Sequence, residues 1–112
     1  MTYFIRTKSI GDISIKTYTS TDPKILYKPS IDLLMASAND AYSGGILGVI
    51  LTGMGHDGTE GMKKIKEAGG KTLTQDEETS TIYGMPKSVV DAGVADKVAP
   101  LNLIAGEIVN MV

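Results

Sequence analysis

Apolar residues at Ile31, Leu34, Met35, Ala38 and Tyr42 recur at the spacing of one helical face, and Ser30 stands where a helix N-cap belongs. Gly44 and Gly45 end that segment. A continuous apolar run, Ile46 to Leu51, follows and predicts a central parallel strand covered on both faces. A second helix is predicted from about Gly58 to Ala68, with Met62 and Ile65 inward and Lys63, Lys64 and Lys66 toward water; Gly69 and Gly70 stop it. Lys71 to Gln75 reads as a short strand and Asp76 to Tyr83 as a loop. Pro86 opens a helix through Val90 that Gly93 ends. Val94 to Val98 reads as a strand, and Pro100 opens a last helix with the face Leu101, Ile104, Ala105, Ile108 and Val112. Before all this, Phe4 to Lys8 and Ile13 to Thr19 carry the Ile, Thr and Tyr of β-strands around a Gly11–Asp12 turn, and residues 19–29 read as loop.

The chain therefore divides into a β-hairpin and loop, 1–27, and an alternating region, 28–112. The order α-β-α-β-α-β-α implies an α/β fold: parallel strands, right-handed crossovers and helices on both faces, a three-layer α/β/α arrangement. In such sheets ligands sit beyond the carboxyl ends of the strands. The loops 52–58 and 75–84 both leave strands at that edge.

Composition narrows the classes. At 112 residues the chain is one domain's worth, with 42% hydrophobic and 21% charged residues. Formal net charge is −2 and aromatic residues are few, which argues against a nucleic-acid surface. No apolar run approaches the roughly 20 residues of a membrane span, and the start lacks the layout of a secretion signal. The absence of cysteine suits a reducing cytosol. With one histidine and no cysteine, a transition-metal site would rest on carboxylates, so neither metal nor cofactor is expected. Met35, Met54, Met62, Met85 and Met111 read as core filler and loop.

Candidate chemistry centres on Asp57 in the loop Thr52 to Gly58, and the spacing allows three readings. Gly53, Gly55 and Gly58 form the dinucleotide fingerprint, with Asp76, Glu77 and Glu78 about 20 residues on. Against it, Asp57 would set a carboxylate beside the pyrophosphate at the helix start. In the second reading Asp57 caps its own helix and Glu60 completes a capping box. In the third, Asp57 orients a histidine and stabilises its imidazolium. Spacing alone does not choose.

The wording of the segment does. Val49 to Gly58, then Gly61–Met62, Ala68 to Gly70, Gln75 to Glu77 and Tyr83 to Pro86 resemble the carboxy-terminal half of the catalytic domain of chemotaxis protein-glutamate methylesterases (CheB-type). Lys28 to Asp32 is similar to the Arg-Pro-Ser-Val-Asp segment preceding that region, with Lys28 keeping the charge but losing the bidentate fork. The resemblance runs from about residue 28 to the end. It implies a cytoplasmic α/β/α hydrolase that demethylates receptor glutamate methyl esters, and in many members deamidates glutamines, with a Ser-His-Asp triad. Asp57 matches the aspartate, and the backbone N–H of Met54 matches an oxyanion-hole donor. Gln75 to Glu77 and Gly84 to Pro86 match signatures that shape the site. The implied partner is the methylated chemoreceptor.

The serine motif Gly-x-Ser-Thr-Gly-Gly and the His-Met-Pro histidine of that family are absent from these residues, as is a receiver domain. His56 adjoins Asp57 and its side chain diverges from it, so an exposed loop residue is the plainer reading; Ser30 and Ser80 read as cap and loop residues. The expectation is therefore the second half of the family domain plus a hairpin, a fragment or truncated homologue, inactive alone as an ester hydrolase. With half a sheet, self-association through the exposed strand 46–51 is also expected. A non-catalytic interaction module on the same fold is the competing reading, and a dinucleotide-binding domain the third.

Overall fold

The computed structural model describes residues 30–42 and 44–112 in full, and the backbone of two N-terminal strands. Those strands, β1 (Thr2–Arg6) and β2 (Ile13–Thr17), pair antiparallel with Phe4 opposite Ile15. The two antiparallel strands read from the sequence are present, with β1 beginning earlier than read; residues 7–8 and 18–19 of that reading lie outside the described residues. The Gly11–Asp12 turn, the loop 19–29 and Lys28 lie outside the described residues.

From Ser30 onward the elements alternate: α1 (Ile31–Ala41), β3 (Leu47–Ile50), α2 (Thr59–Glu67), β4 (Lys71–Gln75), α3 (Met85–Asp91), β5 (Lys97–Ala99) and α4 (Leu101–Met111). Ser30 caps α1 as its residue type requires, its hydroxyl accepting from the Leu33 amide at 3.2 Å. Pro86 falls in the first turn of α3, where its missing N–H costs nothing. Strands β3, β4 and β5 form one parallel sheet in that order, with Ile50 opposite Thr74 and Gln75 opposite Ala99.

Helices cover both faces. Ile50, Met62 and Val89 form one core cluster, with Ile31, Met35 and Met85 packed against it, so α1, α2 and α3 share one face. Leu73, Ala99 and Ile104 form the other, with Leu47, Val49 and Ile108, so α4 covers the opposite face. This is the expected α/β architecture in three layers.

Three expectations need correction. The apolar run 46–51 does alternate between both covered faces, but among the described residues β3 is an edge strand and β4 is central. The central strand is the more polar one, and Thr72 and Gln75 find partners inside: the Thr72 hydroxyl donates to the Val94 carbonyl at 2.6 Å, the Thr72 amide donates to Asp96 at 2.9 Å, and Gln75 Nε2 donates to the Thr79 carbonyl at 2.9 Å. Lys66 is not a plain solvent lysine; it is half-buried and pairs with Asp96 at 2.9 Å, tying α2 to the turn before β5. On α4, Ile104 and Ile108 face the core but Leu101, Ala105 and Val112 are exposed, and Met111 packs inward instead. A single helix on that face contacts the sheet along a narrower stripe than its apolar content suggests.

Candidate active site

The strand-to-helix turn after β3 has to be tight, and its glycines allow that. Gly55 and Gly58 both take positive φ, +92° and +98°. A Cβ on Gly58 would come within 2.5 Å of Ile50 Cδ1, so backbone and core meet directly there. Asp57 is thereby folded beneath the turn and is only 5% exposed.

Its carboxylate does not cap its own helix. Oδ2 accepts from the Ile31 amide at 2.7 Å and Oδ1 from the Asp32 amide at 3.1 Å, so Asp57 caps α1. Asp32 returns the contact: its Oδ1 accepts from Gly58 N–H at 3.0 Å and Gly61 N–H at 2.8 Å, capping α2. The N-cap of α2 is Gly58, with no side-chain cap of its own, and Glu60 is exposed. The predicted Asp57–Glu60 capping box is thus replaced by an exchange of caps between two helices. A local box needs only a favourable side-chain rotamer; here the first turn of α1 lies close enough to offer two amides, and each helix's positive end attracts the other's carboxylate. Burial pushes the Asp32 carboxyl above its ordinary range; the Gly61 and Gly58 amides oppose this and the neighbouring Asp57 charge adds to it.

The exchange also answers the dinucleotide reading. The Gly58 and Gly61 amides that would have to hold a pyrophosphate are already donated to Asp32. Asp76, needed there for a ribose, instead caps its own turn, accepting from the Thr79 amide at 3.0 Å and hydroxyl at 2.6 Å, and Glu77 and Glu78 are exposed.

Met54 stands at the outer lip of the same turn, 78% exposed, and its amide donates to no acceptor among the described residues. The backbone around it is held from the other loop. Gly53 N–H donates to the Ile82 carbonyl at 3.0 Å, and the Gly53 carbonyl accepts from Gly84 and Met85 amides at 3.1 and 2.9 Å. The Thr52 hydroxyl donates to the Ile82 carbonyl at 3.0 Å and accepts from the Ile82 amide at 2.9 Å. Beneath both loops lies Gln75, fully buried. Its Oε1 accepts from Thr52 N–H at 2.7 Å while its Nε2 donates to the Thr79 carbonyl at 2.9 Å. Gly84 is confined by this clamp: a Cβ there would lie 2.7 Å from the Gly53 carbonyl oxygen.

The arrangement thus brings together Asp57, the Met54 amide, and the 52–55 and 82–85 loops at the carboxyl edge of a parallel sheet. His56 is exposed on the turn. Ser30 is a buried helix cap, and the Ser80 hydroxyl donates to the Asp76 carbonyl at 2.6 Å, so both serve local structure. One contributor was missed from the sequence, Asp32, whose only signal was its place in the Lys28 to Asp32 segment; Gln75 stood among the site-shaping signatures of the resemblance, and the structure adds its partners, Thr52 and Thr79. Among the described residues there is no cluster of His, Cys, Asp or Glu able to hold a metal ion, and no helix is long and apolar enough to cross a membrane.

A parallel sheet covered by helices on both faces, with a buried carboxylate on a loop at its carboxyl edge, defines the α/β class of proteins whose sites are built from loops. Within that class the chain belongs to the CheB methylesterase family, whose model matches residues 3–108. It is 50% identical over 102 residues to a protein-glutamate methylesterase/protein-glutamine glutaminase of Geobacter sulfurreducens, covering 90% of this chain and 28% of that protein. It is 54% identical over 82 residues to one of Carboxydothermus hydrogenoformans, covering 73% of this chain and 24% of that protein. The crystal structure of the Thermotoga maritima CheB methylesterase catalytic domain superposes with a TM-score of 0.85 at 34% identity, covering 98% of this chain and 58% of that one. The chain spans about a quarter of the length of the curated relatives it matches.

Proposed function

We propose that this chain supplies the aspartate and one oxyanion-hole donor of a protein-glutamate methylesterase site that works in the cytoplasm on methylated chemotaxis receptors. The reaction is hydrolysis of a glutamate methyl ester to carboxylate and methanol; the same site acting on a glutamine side chain releases ammonia. The observation that carries this reading is one turn holding both a buried carboxylate, Asp57, and, on the exposed Met54, an amide with no acceptor among the described residues.

Each group has a chemical task. Each Asp57 oxygen accepts one backbone amide, which leaves lone pairs for one further donor. A histidine N–H placed there is held in the tautomer that accepts a proton from a serine hydroxyl, and its imidazolium is stabilised by the fixed negative charge. As serine attacks the ester carbonyl, negative charge develops on the carbonyl oxygen, and the Met54 amide donates to it. The clamp from Gln75, Thr52 and Ile82 keeps that amide in place, so little reorganisation is spent at the moment of reaction.

The serine and the histidine come from outside these residues, in keeping with the family's serine and histidine motifs being absent here. Among the described residues one edge of β3 has no neighbouring strand, and a further part of the sheet would join there. An apolar cleft of about 330 Å³ runs along it, lined in part by Leu34, Met35, Tyr42, Leu47, Val49 and Ile65. In the isolated chain that edge promotes self-association. The test is methanol release from a methylated receptor by the purified chain: none is expected. Steady release that disappears with Asp57→Ala would show that the chain carries its own nucleophile and overturn the reading.

A further inference from the structure

Asp57 and Asp32 occupy each other's helices. An aspartate at the start of α2 has a simpler option, which is to accept the amides of its own first turn. Instead both oxygens of Asp57 are spent on Ile31 N–H and Asp32 N–H, more than 20 residues away in sequence, and the amides it leaves behind are taken by Asp32. The contacts close a ring. Asp57 holds the backbone of Asp32, the side chain of Asp32 holds the amide of Gly58, and Gly58 is bonded to Asp57 itself. The position of the Asp57 carboxylate is thus referred to α1 and not to the helix that follows it.

We propose that Asp32 is a positioning residue for Asp57: by accepting the Gly58 and Gly61 amides it fixes the turn so that the Asp57 carboxylate stays on the first turn of α1. What the carboxylate is positioned for, the orientation of a histidine, rests on the function proposed above; the positioning itself does not.

Several features of the ring support a role beyond capping. The two carboxylates are neighbours of like charge, an arrangement a fold tolerates only where amides and helix ends compensate it. Four amides do so, two for each carboxylate. The backbone around the ring is tightly packed. Gly58 is at φ +98° with Ile50 and Ile31 against it, and a Cβ at Gly61 would sit 2.7 Å from Met35 Cβ, so α1 and α2 are in close contact across the ring. The arrangement also leaves each Asp57 oxygen with one amide donor, which fixes the plane of the carboxylate while leaving lone pairs open.

The test uses the full isotope-labelled chain and reads through-hydrogen-bond couplings from amide nitrogens to side-chain carboxyl carbons. In the unmodified chain, couplings run from Ile31 and Asp32 to the Asp57 carboxyl, and from Gly58 and Gly61 to the Asp32 carboxyl. In Asp32→Ala all four are expected to be lost, although Asp57 is intact, while the amide shifts of β4 and α4 stay where they are. Asp32→Asn keeps an oxygen acceptor and is expected to restore the two Asp57 couplings. If Asp32→Ala loses only the Gly58 and Gly61 couplings, Asp32 is merely the cap of α2 and the proposal fails. Should Asp32→Ala not fold, Asp32→Ser, whose shorter side chain does not reach the Gly58 and Gly61 amides, decides: loss of the Asp57 couplings in the folded variant upholds the proposal and their retention overturns it. No substrate is involved, so a chain that shows this linkage yet takes no part in ester hydrolysis would fault the proposed function and leave the positioning standing.

Discussion

Replacing Asp57 by alanine should cost far more stability than the loss of a local helix cap. A conventional N-cap contributes about 1 kcal/mol. Asp57 instead accepts two amides at 2.7 and 3.1 Å, both from α1. A hydrogen bond to a charged group is worth about 1.5–3 kcal/mol when its partner is left buried and unpaired. The freed amides belong to half-buried residues and regain some water, which pulls each toward the lower end of that range. Relief of the repulsion between Asp57 and Asp32 offsets part of the remainder. The balance is a loss of about 2–4 kcal/mol, which for a domain near this size lowers the melting temperature by about 10–20 °C. Urea unfolding followed by far-UV circular dichroism measures the first quantity and a thermal scan the second. Hydrogen exchange locates the effect: the Ile31 and Asp32 amides should lose protection before any in β4. A fall of less than about 5 °C with unchanged exchange at Ile31 and Asp32 would refute the exchanged caps.

Other perturbations probe separate parts of the account. Gly58→Ala puts a Cβ at φ +98° and 2.5 Å from Ile50 Cδ1; backbone strain and overpacking together predict a loss of about 2–4 kcal/mol by urea unfolding. Asp96 is held below its ordinary value of 3.8 chiefly by Lys66, so its contribution is present above 3.8 and lost as pH falls through the lower folded value. Asp96→Asn should therefore flatten the decline of stability below pH 3.8, and an acid-unfolding curve of unchanged slope would contradict this. Asp32 runs the opposite way: its raised folded value means that stability declines as pH rises from 3.8 to that value. Light scattering at rising concentration should show the chain exceeding monomer mass, with Leu51→Lys, at an exposed position just past β3, reducing the association; a monomer throughout would remove the open edge as an interface.

What could be read from the sequence was what neighbouring residues decide among themselves. Ser30 before Ile31, Leu34, Met35 and Ala38 predicted α1 because cap and stripe lie within a few turns. The glycines after β3 predicted the tight turn, and Gly69 and Pro86 the ends and starts of helices. Partners distant in sequence were not legible. Asp57 beside Glu60 looks like a capping box, and nothing local says that Ile31 and Asp32 will stand nearer. Gln75 looks like the polar end of a strand until two loops fold over it. The central place of β4 was hidden for the same reason: nothing local to Thr72 announces the Val94 and Asp96 contacts that let it be buried. The Asp57 and Met54 assignments came from the resemblance, since spacing left three readings open.

The central claim is that Asp57 is the orienting carboxylate of a hydrolase site completed by a serine and a histidine from outside these residues. Its most direct test is methanol release from a methylated receptor by this chain combined with the serine- and histidine-bearing half of a relative's catalytic domain, with and without Asp57→Asn. The account predicts no release from either part alone, release on combination, and a drop in kcat of about 10⁴-fold with Asp57→Asn. A combined enzyme that works equally well with asparagine at position 57 would contradict it.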